Sequence, residues 1–430
     1  MQPIDDTARR RILDAVDAAF DKQVDFLASL VRCASQRGEE TGVQDVVEAA
    51  LRERGYDVDR FLIDPDMVGK HPAFSPVTVP YDTMANVVGV RKAVAPKGRS
   101  LALNAHVDVV PTGNPARWEF PPYDAVRRGD WLYGRGSGDM KAGLSAALFA
   151  LDAIKAAGFE LTADVQLQSV VEEEITGNGA AMALVKGYVA DAVLIPEPTD
   201  EKLVRANSGV NKFAITVEGV PAHPREIDHG ISAIDAAVRL IGHLRRLEAK
   251  WNEERPSKPF FDDVENPAAL TIGTIAGGEW IASVPSSCRF EGRIGFYPGD
   301  DPQQRAREFE AFVAEAVAGD PGFRNCPPPR VEWVGVMHAG YALEPGSDAE
   351  AMLALAHHAA RDGSGPLEAY VMACYLDAAV FAVHGNIPSL VYGPVAENIH
   401  AVDERVSLSS LRRVTKTIAL FAAGWCGIRS

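Results

Sequence analysis

Cysteine is scarce in this 430-residue chain: Cys33, Cys288, Cys326, Cys374 and Cys426 are scattered and odd in number. None stands at a metal-binding spacing, so the sequence offers neither a disulfide framework nor a thiolate site. The thiols read as buried and reduced, and the expected location is the cytoplasm. No stretch approaches the ~20 consecutive apolar residues that span a bilayer. The opening segment, MQPIDDTARRRILDAVDAAF, mixes acidic and basic residues and lacks the apolar core of a signal peptide. Positive charge is also short: 43 Lys and Arg stand against 59 Asp and Glu, a formal net charge of −16. Nucleic acid and anionic membrane both need a basic face, so neither is expected as a partner. There is no internal repeat and no low-complexity segment.

What remains is the composition of a globular protein, 47% hydrophobic and 24% charged. The length exceeds one ordinary core, so two domains are expected. Residues 8–32 and 43–55 read as amphipathic helices, MANVVGVRK and SLALNAHVDVV as strands, and 140–158 as a helix of small residues. ADVQLQSVV and DAVLIPEP follow as strands, which indicates an α/β layer with a largely parallel sheet. From about residue 209 the order becomes β-α-β-β-α-β, with a long charged helix over 230–255; this is the ferredoxin-like signature. The chain thus divides into a first catalytic part (1–208), an inserted lid (209–340) and a second catalytic part (341–430).

Five acidic or histidine clusters fall at predicted strand ends or just after them, where open α/β sheets bind ligands. They are NAHVDVV (His106, Asp108), GRGSGDMKAG (Asp139), VVEEEITG (Glu172 to Glu174), IPEPTD (Glu197) and ENIHAVDE (His400). Each alone has a bland explanation. His-x-Asp in a strand puts both side chains on one face and can be an ordinary core hydrogen bond. Asp139 can be a helix cap, the three glutamates a solvated loop, and Glu197 a surface turn. Together the bland explanations fail, because VVEEEITG ends a buried-looking strand and prolines freeze the backbone on both sides of Glu197. Two imidazoles and several carboxylates can hold two divalent cations, which would offset the repulsion among adjacent acids. Oxygen and nitrogen donors without thiolate suit zinc, cobalt or manganese at a hydrolytic centre. A further Glu left off the metals would serve as general base.

HVDVVPTG, WEFPPYD, LYGRGSGDMKAG, VVEEEITGNGA, IPEPT, GVPAHPREIDHGISAI, VYGP and HAVDE occur in order along nearly the whole chain. In these motifs it resembles the dinuclear-zinc amidohydrolases that include acetylornithine deacetylase, succinyl-diaminopimelate desuccinylase, aminoacylase and the glutamate-releasing carboxypeptidases. The resemblance implies a zinc held by His106, Asp139 and Glu197 and a second held by Asp139, Glu174 and His400. Asp139 would bridge, and Asp108 would orient His106. Glu173 would be the general base, with a one-residue slip to Glu172 left open. His223, in the lid, would stabilise the oxyanion, from the other subunit in dimeric members. A homodimer through the lid is therefore implied.

The recognition residues depart from the family. Ala282 stands where many relatives have Asn, Gly295 where many have Arg, and CYLD, ending in Asp377, where many have Gly-Gly-Thr-Asp. Arg293 is a displaced basic candidate, and with His223 and Asp377 it makes up the expected substrate-binding set. His71, His229, His243, His338, His357, His358 and His384 match no family role and read as structural or surface residues. The implied activity is metal-dependent hydrolysis of a linear amide in a small N-acyl compound such as an N-acyl amino acid. A dipeptidase or carboxypeptidase is the alternative. A catalytically dead binding protein would need a lost ligand or base, and none is lost.

Overall fold

The computed structural model describes residues 4–94 and 96–430. Helix α1 (Asp6–Val31) starts where the Asp5 carboxylate accepts a hydrogen bond from the Ala8 amide, at 2.8 Å. Its stripe of Ile12, Val16, Phe20, Val24 and Leu27 is buried. Helix α2 (Thr41–Glu53), strands β1 (Asp57–Leu62), β2 (Ala85–Arg91) and β3 (Leu101–His106) and helix α3 (Ala142–Ala156) follow. Next come β4 (Val165–Val170), α4 (Asn178–Val185) and β5 (Val193–Ile195). Helix α3 begins later than the residue pattern suggests, because Ser137–Lys141 forms a separate wide turn around Asp139. Small residues let α3 pack closely: a Cβ on Gly143 would sit 2.0 Å from the Pro196 carbonyl oxygen. That contact fixes the loop carrying Glu197 against the helix.

The insertion runs through β6 (Gly209–Glu218), α5 (Ala233–Asn252), β7 (Leu270–Gly277), β8 (Ser287–Phe296), α6 (Pro302–Gly319) and β9 (Arg330–His338). Its sheet order is β7-β8-β6-β9, with every pairing antiparallel. The β-α-β-β-α-β order expected from the sequence is present. Phe213, Ile215, Leu240, Leu244, Trp251, Phe290 and Phe309 form a hydrophobic core separate from the main one. Strand β7 lies at the sheet edge and is largely exposed.

Afterwards α7 (Asp348–Ala360), β10 (Ser389–Val391) and α8 (Leu408–Cys426) return to the first layer. The main sheet has the order β1-β2-β4-β3-β5-β10. Its β4-β3-β5-β10 portion is parallel, and β1 and β2 add an antiparallel edge. Every position of β3 and β4 is buried, as befits central strands covered on both faces. Among the described residues no helix is long and apolar enough to cross a membrane.

Two local expectations are corrected. Strand β3 stops at His106, so Asp108 lies in the following loop rather than two places along a strand. Of the five thiols, only Cys288 and Cys426 are fully buried; Cys33, Cys326 and Cys374 lie outside regular elements and keep part of their surface exposed.

Candidate active site

The loops after β3, β4 and β5, the turn before α3 and the loop before α8 bring the acidic and histidine clusters together beyond the strand ends. His106 Nε2 lies 3.1 Å from Asp139 Oδ1, 3.8 Å from Glu197 Oε1 and 3.9 Å from Glu173 Oε2. His400 Nε2 lies 3.2 Å from Asp139 Oδ2 and 3.0 Å from Glu174 Oε1. Asp139 therefore presents one carboxylate oxygen to each imidazole. One donor atom each from His106, Asp139 and Glu174 falls within 4.8 Å of the others.

The donor set fits divalent cations. Glu197 Oε1 is buried without a hydrogen-bond partner, an orphaned acceptor facing the cluster. Burial drives the Glu173 and Glu197 carboxyls well above the ordinary glutamate range. The two imidazoles are shifted in the same direction. Hydrogen bonds to Asp139 and Glu174 raise the half-exposed His400 imidazole to about 10. For His106, burial opposes protonation, but the bond to Asp139 and the charges of Glu197 and Glu173 raise it well above normal. Burial would also raise Asp139, yet its bonds from His106 and His400 hold it below the usual carboxylate range. Excess negative charge in a dry cleft is what a metal pair would offset.

The three adjacent glutamates have separate surroundings. Glu172 turns away: it is fully buried, accepts from Arg37 Nε at 2.6 Å and Nη2 at 2.9 Å, and accepts from Tyr81 Oη at 2.8 Å. Its backbone takes the left-handed φ of 70°. Glu173 faces His106, and Glu174 faces His400. The slip that would make Glu172 the base would thus require breaking a bidentate buried ion pair.

Asp108 acts differently from the expectation. The His106 Nδ1 partner is the backbone carbonyl of Asp108, at 2.9 Å, while the Asp108 carboxylate is 3.6 Å from that nitrogen. The carboxylate instead accepts from the amides of Glu173 (3.4 Å) and Glu174 (3.1 Å). One residue thereby orients the imidazole with its main chain and the glutamate loop with its side chain. Burial lifts the Asp108 carboxyl to about 6.

The remaining candidates divide. Asp377 is buried and accepts from Tyr375 Oη at 2.8 Å, and burial pushes it to about 7. Arg293, on β8, reaches toward the Ala373 carbonyl at 3.5 Å. His223 is exposed; its Nδ1 accepts from the Arg225 amide at 3.1 Å, and no hydrogen bond or ion pair joins it to the cluster among the described residues. His71, His338 and His384, read as unrelated, pack in a row of rings 5.8 and 6.0 Å apart. His243 pairs with Asp320 at 2.7 Å, and His357 with Tyr392 Oη at 2.8 Å.

Sequence reasoning missed Glu404 and Arg37. The buried Glu404 carboxylate accepts from the amides of Gly136 (3.0 Å), Gly138 (2.9 Å) and Asp139 (3.0 Å), and from Arg135 Nη1 at 2.6 Å. It shapes the turn that aims Asp139. The available signal was its place at the end of HAVDE, four residues past His400.

A cleft with candidate metal donors on one wall and an uncommitted buried carboxyl beside them is equipment for hydrolysis, and known proteins narrow the bond to an amide. The chain belongs to Peptidase family M20/M25/M40, matched over residues 102–424. The family includes dinuclear metal-binding peptidases. An N-formyl-4-amino-5-aminomethyl-2-methylpyrimidine deformylase of Halalkalibacterium halodurans is 30% identical over 370 residues, 81% of this chain and 84% of that one. A succinyl-diaminopimelate desuccinylase of Dinoroseobacter shibae is 28% identical over 408 residues, 90% of this chain and 95% of that one. A solved di-peptidase of Saccharomyces cerevisiae shares the fold at a TM-score of 0.81 and 14% identity, over 98% of this chain and 99% of that one. The chain is an enzyme acting on amide bonds.

Proposed function

We propose that the enzyme removes the acyl group from a small N-acyl compound, with His106, Asp139 and Glu197 holding one zinc ion and Asp139, Glu174 and His400 a second. Cobalt or manganese could occupy the same donors. The observation that carries this reading is Asp139, whose two oxygens face two imidazoles from distant segments. When bound, such a pair supplies a water of lowered pKa and polarises the substrate carbonyl.

Glu173 accepts the proton of the attacking water and returns it to the departing nitrogen. Its buried carboxyl, raised well above the ordinary glutamate range by desolvation, is a stronger proton acceptor than a solvent-exposed glutamate. Asp108 holds the Glu173 and Glu174 amides and so keeps both carboxylates aimed. His223 stabilises the oxyanion, contributed from a second copy across a homodimer formed by the 209–340 lid. The exposed strand β7, with Trp280 69% and Ile281 98% exposed nearby, supports such an interface.

Among N-acyl compounds, the recognition residues favour an amine half without a free carboxylate. Ala282 and Gly295 have no group to clamp one, and the bulky Tyr375 fills part of the segment where many relatives have glycines. The deformylase likeness points the same way, to a short acyl group on an aromatic aminomethyl compound. Arg293 and Asp377 then contact polar atoms of that amine half. Five cysteines, all free, support a reducing, cytoplasmic setting.

The test is a side-by-side assay of N-formyl aminomethylpyrimidine, N-acetylornithine, N-succinyl-diaminopimelate and a dipeptide, each with and without chelator. Chelator-sensitive cleavage fastest on the formyl compound is expected. Fastest cleavage of the dipeptide would establish the peptidase alternative instead.

A further inference from the structure

Lysine 212 lies on β6, in the insertion, yet its ammonium donates a hydrogen bond to the backbone carbonyl of Glu174 in the main layer. The next carbonyl of the same loop, Ile175, accepts from the Val336 amide on β9 at 2.8 Å. Two successive carbonyls of the acidic loop are therefore held from the insertion.

The local sheet is built for this contact. The β6–β9 register shifts between Asn211 and Phe213, so Lys212 falls at an irregularity of the ladder. Opposite it, Gly335 takes a φ of 139°. A Cβ on Gly335 would lie 2.6 Å from the Ile175 carbonyl oxygen and 3.2 Å from Lys212 Cδ. Only glycine there lets the strand rest on the loop and leaves a channel for the lysine stem. Bulges of this kind re-aim a side chain beside active sites.

Charge adds a second argument. Lys212 pairs directly across β6 and β8 with Arg293. Like charges in opposed positions on neighbouring strands repel. The Lys212 ammonium lies on the acidic loop, and Arg293 reaches the Ala373 carbonyl. The cleft's carboxylates make the pairing tolerable, which ties this face of the insertion to the site.

We propose that Lys212 is a positioning residue: by gripping the Glu174 carbonyl it keeps the Glu174 carboxylate on His400 and Asp139, and it makes one of the two metal sites depend on the seating of the insertion. This rests on the reading of Glu174 as a metal ligand. Lys212 touches neither metal nor substrate in this role.

Cobalt titration of the metal-stripped full chain tests it, followed by calorimetry and by the visible spectrum of the bound ion. The wild type is expected to take two ions. Lys212→Met should weaken one of them about 10- to 100-fold and leave the other nearly unchanged. Lys212→Arg, which keeps the donor and the charge, should recover most of the loss. Should Lys212→Met prove insoluble, Lys212→Leu, which likewise has no donor, is titrated in its place with the same expectation. Two unweakened sites in the neutral variant overturn the proposal. So does equal weakening of both sites that the Arg variant shares, since that is loss of packing. If the wild type takes no ions at all, the metal reading itself has failed, and this proposal falls with it.

Discussion

Glu172 and Glu173 are neighbours with the same carboxyl and opposite circumstances. Glu172 is committed to Arg37, Tyr81 and Thr176, whereas Glu173 has a raised pKa and faces His106. Glu173→Gln should therefore lower kcat by about 10²- to 10⁴-fold, the usual worth of a general base, with metal content unchanged. Glu172→Gln leaves Arg37 short of its counter-ion and should show mainly as a lower melting temperature. Parallel kinetics and melting curves on the two variants check this, and equal losses of kcat would contradict it. At this scale the motif residues His106, Asp139, Glu174, Glu197 and His400 were legible, because histidines and acids at predicted strand ends are costly without a purpose. The choice between Glu172 and Glu173 was not, since their distinction depends on Arg37, 135 residues away in sequence. Asp108 was half legible: its nearness to His106 was read correctly, but strand β3 ends two residues before it, and its carboxylate does not do the orienting.

At the scale of elements, a buried carboxylate shapes the turn before α3. Glu404 and Arg135 are 1% and 2% exposed, and Glu404 also satisfies three amides. Glu404→Ala strands a buried guanidinium and should cost about 3–5 kcal/mol by urea unfolding. A loss below about 0.5 kcal/mol would contradict the role. The loops' excess of protons gives a second expectation. In metal-free protein His400, Glu173 and Glu197 all have folded pKa values above their ordinary ones. The folded state then binds more protons than the unfolded state, so these groups' contribution to stability falls as pH rises from about 4.5 toward about 10. Asp139, shifted the other way, loses its contribution only as pH falls below its ordinary 3.8. Metal ions bound as proposed would replace those protons, so loading should release protons into the buffer, and the rise in melting temperature on adding zinc should grow between pH 6 and pH 8.5. Calorimetry in buffers of different ionisation enthalpy reads the first, and thermal scans the second. A zinc-induced rise that shrinks with pH would contradict it. Helices and strands themselves were legible to within a few residues from periodicity, because amphipathic stripes and buried apolar runs are local. The wide turn at Ser137–Lys141 and the β6–β9 irregularity were not, since both answer to contacts with other segments.

Across the whole molecule, the two largest hydrophobic cores, one around the six-stranded sheet and one around the insertion's four-stranded sheet, follow from one chain that leaves the α/β layer and returns to it. That plan was legible as a change of β and α order near residue 209. Assembly was implied only by the family resemblance, since nothing in a periodicity tells an edge strand from a central one. Strand β7 with Trp280 and Ile281 is the surface a second copy would cover. Trp280→Asp with Ile281→Asp should convert a dimer to a monomer in sedimentation velocity, while a wild-type monomer at micromolar concentration would contradict the shared oxyanion site. The central claim, that acids and imidazoles from five separate segments converge on a pair of cations, has its most direct test in anomalous diffraction at the zinc edge from zinc-loaded crystals. Two peaks on either side of the Asp139 carboxylate are expected, one beside His106 and Glu197 and the other beside His400 and Glu174. No peak there, or zinc bound only elsewhere on the surface, would contradict the account.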